Sequence, residues 1–127
     1  MKVLIVGNPL LKYDSLPLRI LPKLKKVFPK IEFKEIDPSE DLQLEGKNLI
    51  IIDSAEGIKD VVLLEDLDKI LTNKIFSLHD FDLGITLKLL KKANLIDSVK
   101  LICVPRKANE KEVFAGVVKI LEEFESK

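Results

Sequence analysis

Cysteine, histidine, tyrosine and methionine each occur once in this chain, and tryptophan does not occur at all. The single Cys103 excludes an internal disulfide, and no Cys-x-x-Cys pair exists for a structural metal or a redox couple. Cys103 sits in the apolar run LICV and reads as a small buried hydrophobe. Net charge is also missing: 21 basic residues balance 21 acidic ones. Nucleic-acid-binding proteins usually carry a basic excess, so this balance argues against that class. No apolar run approaches the roughly 20 residues needed to cross a bilayer. The start of the chain lacks the apolar stretch and small-residue cleavage site of a signal peptide. The expectation is a cytoplasmic protein without membrane insertion. Gly-rich dinucleotide fingerprints, Walker A lysines, G-x-S-x-G elbows, H-E-x-x-H helices and internal repeats are absent too.

What is present is enough for a core. Hydrophobic residues make up 46% of the 127, and this length suits one domain spanning 1–127. The opening stretch KVLIVGNPLLKYDSLPLRI organises the rest. Lys2 to Val6 is a β-branched apolar run that reads as a buried strand, ended by Gly7-Asn8-Pro9. Asp14 or Ser15 then caps a helix with Pro17 in its first turn. Leu18, Leu21 and Leu24 share one face, while Lys23, Lys25 and Lys26 lie toward water.

Phe28-Pro29 closes that helix, and IEFKEI to Ile36 reads as an edge strand with one charged face. Leu42 and Leu44 are expected to tuck against the core. LIII from Leu49 to Ile52 is a central strand ending at Asp53, followed by a polar loop over 54–59. Val61 to Leu64 and Ile75-Phe76 are brief strand candidates. Asp82 is predicted to cap a helix through Leu83, Thr86, Leu87, Leu90 and Ala93. Val99 to Val104 is the last strand, and Asn109 with Glu112 has the spacing of a capped final helix whose stripe is Val113, Val117, Ile120, Leu121 and Phe124. The pattern predicts an α/β fold: one three-layer domain with a mostly parallel or mixed twisted sheet of about five strands flanked by helices.

Apolar strands leave polar chemistry to their ends. Asp14 follows the first strand, Asp53 ends the LIII strand and His79 precedes a helix. If their strands are neighbours and point the same way, the three converge in one crevice. Two carboxylates and an imidazole can bind a divalent ion, and the lack of thiolates favours an open site over a structural zinc centre. A neutral histidine also has the right range for a base. Each residue has a plainer reading beside this one. Asp14 can be only a helix cap, Asp53 can accept turn N–H bonds, and His79, Asp80 and Asp82 can be residues of a helix start. Arg106 and Lys107 after the last strand can meet an anion or form a surface pair. Leu10, Leu11 and Leu16 can grip a peptide or join the core.

On these residues the chain resembles the hydrogenase maturation endopeptidases, which trim the C-terminus of the large subunit of nickel-iron hydrogenases. Family members start with a strand and then G-N-x-L-x-x-D-[DE]-G-x-G. Here GNPLLKYDSLP places Asp14 at the second acidic position, a metal contact in the family. Asp53 in LIIIDSAEG and His79 in FSLHDFDLGITLKLL fall on the family's other two contacts. The VKLICVP strand and the last amphipathic helix match in arrangement. Tyr13 replaces the first acid of the pair, and Ser15 and Pro17 replace the two glycines. The resemblance implies a peptidase that holds no permanent metal. Nickel would be carried by the substrate, with Asp14 and Asp53 as oxygen ligands and His79 as a further ligand or a base; other divalent ions can occupy such a site in vitro. The implied partner is the nickel-loaded large-subunit precursor, met by a small monomer. The replacements at 13, 15 and 17 leave a non-catalytic relative, binding a hydrogenase subunit or nickel centre as a chaperone, as the alternative. A third reading is a small α/β enzyme using the same crevice for another ligand.

Overall fold

The structure is a computed structural model and describes residues 1–6, 16–36, 42–55, 57–65 and 78–126; for residues 78–84 the description is of the backbone. In chain order the elements are β1 (Lys2–Val6), α1 (Leu16–Val27), β2 (Glu32–Ile36), a 3-10 turn (Leu42–Glu45), β3 (Asn48–Ala55), β4 (Val62–Leu64), α2 (Leu78–Lys92), β5 (Ser98–Pro105) and α3 (Glu110–Glu125). The strands form one sheet in the order β2-β1-β3-β5-β4. The first four are mutually parallel, and β4 runs antiparallel to β5 at the edge. This is the mixed three-layer α/β domain that the sequence predicts.

Strand alternation sorts the core into two layers. Leu4, Val6, Leu49, Ile51, Val99, Leu101 and Cys103 face one side, where Leu87 of α2 and Leu42 of the 3-10 turn cover them. Val3, Ile5, Ile52, Ile102 and Val104 face the other, beneath Ile20 and Leu24 of α1 and Val113, Val117 and Leu121 of α3. Burial on both faces explains why β1, β3 and β5 read as near-continuous apolar runs. The edge strand β2 exposes Glu32, Lys34 and Glu35, charges that discourage pairing with another chain.

Helix ends follow ordinary capping chemistry. Asn109 accepts from the backbone N–H of Lys111 at 2.8 Å and of Glu112 at 3.4 Å, as its position in the sequence predicts. α2 closes on Asn94 in the left-handed region (φ 61°). The Leu95 N–H reaches the Leu90 carbonyl and the Asn94 N–H reaches that of Lys91, the paired bonds of a Schellman cap. Pro17 is the second residue of α1 and is buried. Pro22 lies inside the same helix, which continues to Val27 because Ile20, Leu21 and Leu24 are anchored in the core.

Four expectations need correction. β3 runs two residues past Asp53, because Ser54 and Ala55 pair with Val104 and Pro105 of β5. α2 begins at Leu78, so Asp82 is inside the helix and His79 is its second residue. Leu44 is 78% exposed, since only one residue of the tight 3-10 turn can point inward, and Leu42 does. Ala93 is exposed at the cap of α2. Asp14, Tyr13, Ser15, Leu10, Leu11 and the Ile75-Phe76 run lie outside the described residues.

Candidate functional site at the carboxyl edge of the sheet

From β1 the chain goes first to β2 on one side and then to β3 on the other. In open α/β sheets, the carboxyl ends of strands at such a reversal frame the ligand crevice. The last β1–β3 pair is Ile5 with Ile52, so Asp53 comes one residue beyond it, where β1 ends. Residues 49, 51 and 55 face the α2 side, and alternation turns Asp53 the same way. Its carboxylate is 2% exposed, and Oδ1 accepts the Ser54 backbone N–H at 2.8 Å. A carboxylate in a central apolar strand is costly to bury unless it is bonded. A strand needed only for packing would carry valine there. Such a residue is a candidate for a site.

The neighbour of Asp53 across the sheet is Cys103 of β5, buried and on the same face. Its burial matches the sequence expectation; its position beside the carboxylate was missed. Laying NLIIIDSA against SVKLICVP in parallel register would have found it.

His79 enters from α2. That helix leads through residues 93–97 directly into β5, with Leu87 buried against the sheet. A helix so connected runs antiparallel to the strand it feeds. The carboxy-terminal end of α2 is therefore at the amino end of β5, where the Asp97 N–H meets the Lys47 carbonyl at 2.6 Å. The first turn of α2, bearing His79, lies toward the carboxyl edge, on the face that Asp53 addresses. Asp14 follows β1 in the sequence and is outside the described residues. Among the described residues no group of three or more His, Cys, Asp or Glu could hold a metal ion. Arg106 is half-buried and Lys107 exposed just after β5. Beside α3 a separate shallow pocket of ≈ 140 Å³ is lined by Lys59, Val61, Pro105, Ala108, Glu112 and Gly116.

No family model matches the sequence, and no curated protein matches it. Solved structures do match. The chain is similar to the hydrogenase maturating endopeptidase HybD from E. coli, with a TM-score of 0.66 and 22% identity over 97% of this chain and 93% of that one. It is similar to an endopeptidase from Escherichia coli solved in solution, with a TM-score of 0.65 and 23% identity over 98% of this chain and 90% of that one. A hydrogenase 3 maturation protease gives a TM-score of 0.62 and 18% identity over 94% and 87%. No helix among the described residues is long and apolar enough to cross a membrane. What this chain shares with the three proteins is the fold, over nearly its whole length.

Proposed function

We propose that the protein is an endopeptidase that removes the C-terminal tail of a nickel-loaded nickel-iron hydrogenase large-subunit precursor, acting as a monomer in the cytoplasm. The observation that carries this reading is Asp53, a buried carboxylate at the strand-order reversal of a fold shared with hydrogenase maturation proteases. Asp14 and Asp53 contribute carboxylate oxygens to the nickel that the substrate brings, and His79 contributes the third donor. A divalent ion held between protein and substrate orients the chain, polarises a carbonyl and acidifies water. Water then adds to the scissile carbonyl carbon, the C–N bond breaks, and the departing amine takes up a proton. Pro17 suits the first turn of α1, so its replacement of a family glycine is compatible with the helix start.

The test is to mix purified protein with nickel-loaded precursor and follow the precursor by intact mass. Loss of the tail with wild type, and its retention with Asp53→Asn, is the expected result. Intact precursor after incubation with wild type would overturn the peptidase reading. Stable binding without cleavage would instead identify the non-catalytic chaperone that the changes at Tyr13 and Ser15 allow.

A further inference from the structure

The α2-facing side of the sheet changes character from one row to the next. Leu4, Ile51, Leu101 and Leu64 stand in register across β1, β3, β5 and β4, an unbroken aliphatic row. The next row toward the carboxyl edge is Val6, Asp53, Cys103 and Val62, since Val6 and Asp53 both follow the Ile5–Ile52 pair. Its two central positions are a carboxylate and a thiol, 2% and 1% exposed. Side chains so paired on neighbouring strands stand about 5 Å apart. A carboxylate buried at this depth needs its oxygens bonded, and Oδ1 takes the Ser54 backbone N–H at 2.8 Å. Of its two lateral neighbours, Val6 has no polar atom. Cys103 carries an S–H, a weak donor that a charged acceptor strengthens. Packing alone would be served as well by valine at 103, which suits a strand and adds no polar atom.

We propose that Cys103 is a positioning residue whose thiol donates to the Asp53 carboxylate and fixes the direction its oxygens face. The thiol keeps its proton and takes no part in making or breaking bonds. Its effect on cleavage rests on the peptidase reading above, whereas the bond to Asp53 does not. In that reading Asp53 must turn an oxygen toward nickel that arrives with the substrate. A carboxylate held by the Ser54 N–H on one side and by the thiol on the other is already turned before the substrate binds. Losing a group that orients a metal ligand in this way costs about 10–100-fold in metal affinity or activity.

The chain has one cysteine, so its infrared S–H stretching band reports Cys103 alone. In wild type the band should lie below that of an unbonded thiol and move up toward it in Asp53→Ala. Asp53→Asn keeps the shape and weakens the acceptor, so it should give a smaller shift in the same direction. A band that neither substitution moves overturns the proposal. Cleavage of nickel-loaded precursor is then followed by intact mass for wild type, Cys103→Val and Cys103→Ser, with thermal melts to establish folding. A purely apolar role would rank midpoint and cleavage alike, with valine at or above cysteine and serine below. Positioning separates the two rankings. Cys103→Val should keep the midpoint and lose about tenfold or more in kcat/KM. Cys103→Ser should lower the midpoint and, as a donor, keep kcat/KM within several-fold of wild type. Equal cleavage by wild type and Cys103→Val, or equal loss in both variants, overturns the positioning role and leaves the peptidase reading in place. Absence of cleavage by wild type overturns that reading, and the infrared band then decides the Asp53–Cys103 bond by itself.

Discussion

At the amino end of the sheet, Glu45 meets Lys34 at 2.8 Å and Lys2 at 3.4 Å, drawing the 3-10 turn onto β1 and β2. The Lys34 hydrogen bond, against a smaller opposing effect of burial, holds this carboxyl below its usual range, with help from the charge of Lys2. Toward the carboxyl end, Asp53 is buried in β3 two residues before the strand ends, beside Cys103 and on the face where α2 packs. Both ends hold a carboxylate against a sheet. One lies between two lysines reached from neighbouring elements, an arrangement that fastens a turn. The other lies among apolar residues of the sheet, with Oδ1 accepting the Ser54 backbone N–H. On the proposed function, the difference would separate a charge that serves the fold from one that serves chemistry.

Substitutions test this contrast. The largest effect should come from Asp53→Asn. Cleavage should fall by at least the roughly 100-fold that losing a residue which merely orients a metal ligand can cost. Its thermal midpoint should stay level or rise, because a buried charge is removed. A large drop in midpoint with cleavage preserved would put Asp53 in the same class as Glu45.

Next in size are changes that test the packing around the carboxyl edge without touching chemistry. A methyl group at Gly116 would lie 2.9 Å from Val61 Cγ2 and 3.1 Å from its Cβ, and the branched Val61 side chain has little freedom to move. Gly116→Ala should therefore destabilise by about 1 kcal/mol, the strain exceeding the helix-propensity gain. Urea unfolding measures it, and a more stable variant would show that β4 yields easily. Asn109→Ala should cost about 1 kcal/mol through loss of the cap of α3. Both should leave cleavage intact.

The smallest effect belongs to the amino end. Glu45→Gln should cost about 0.5–1 kcal/mol near neutral pH, since Lys34 is half exposed and solvent screens the pair. The folded-state pKa of Glu45 is lowered, so its contribution is complete above about pH 4.5 and is lost as pH falls through the lower folded value. The gap between wild type and Glu45→Gln should close over that acid range. A constant gap in urea titrations at several pH values would remove the ion pair from the explanation.

Much of this is legible in the sequence. The runs 2–6, 49–52 and 99–104 read as buried strands and are, and Asn109 with the stripe of α3 places that helix to within a residue. The misreadings come from taking a local signal as the boundary of an element. Asp82 is a good cap by type, yet α2 starts four residues earlier. Asp53 looked like the end of a strand, yet β5 carries the ladder on to Ala55.

The α/β class, the apolar strands, the cap of the last helix and a carboxylate directly after the LIII run can all be read from the chain, because periodicity and capping act over a few residues. The order β2-β1-β3-β5-β4, the reversed β4, the burial of Asp53 inside β3 beside Cys103 and the exposed leucines of α2 come from the folded chain. Those depend on which strands meet across about 50 residues of chain, a choice made by the burial of whole faces that no local pattern records.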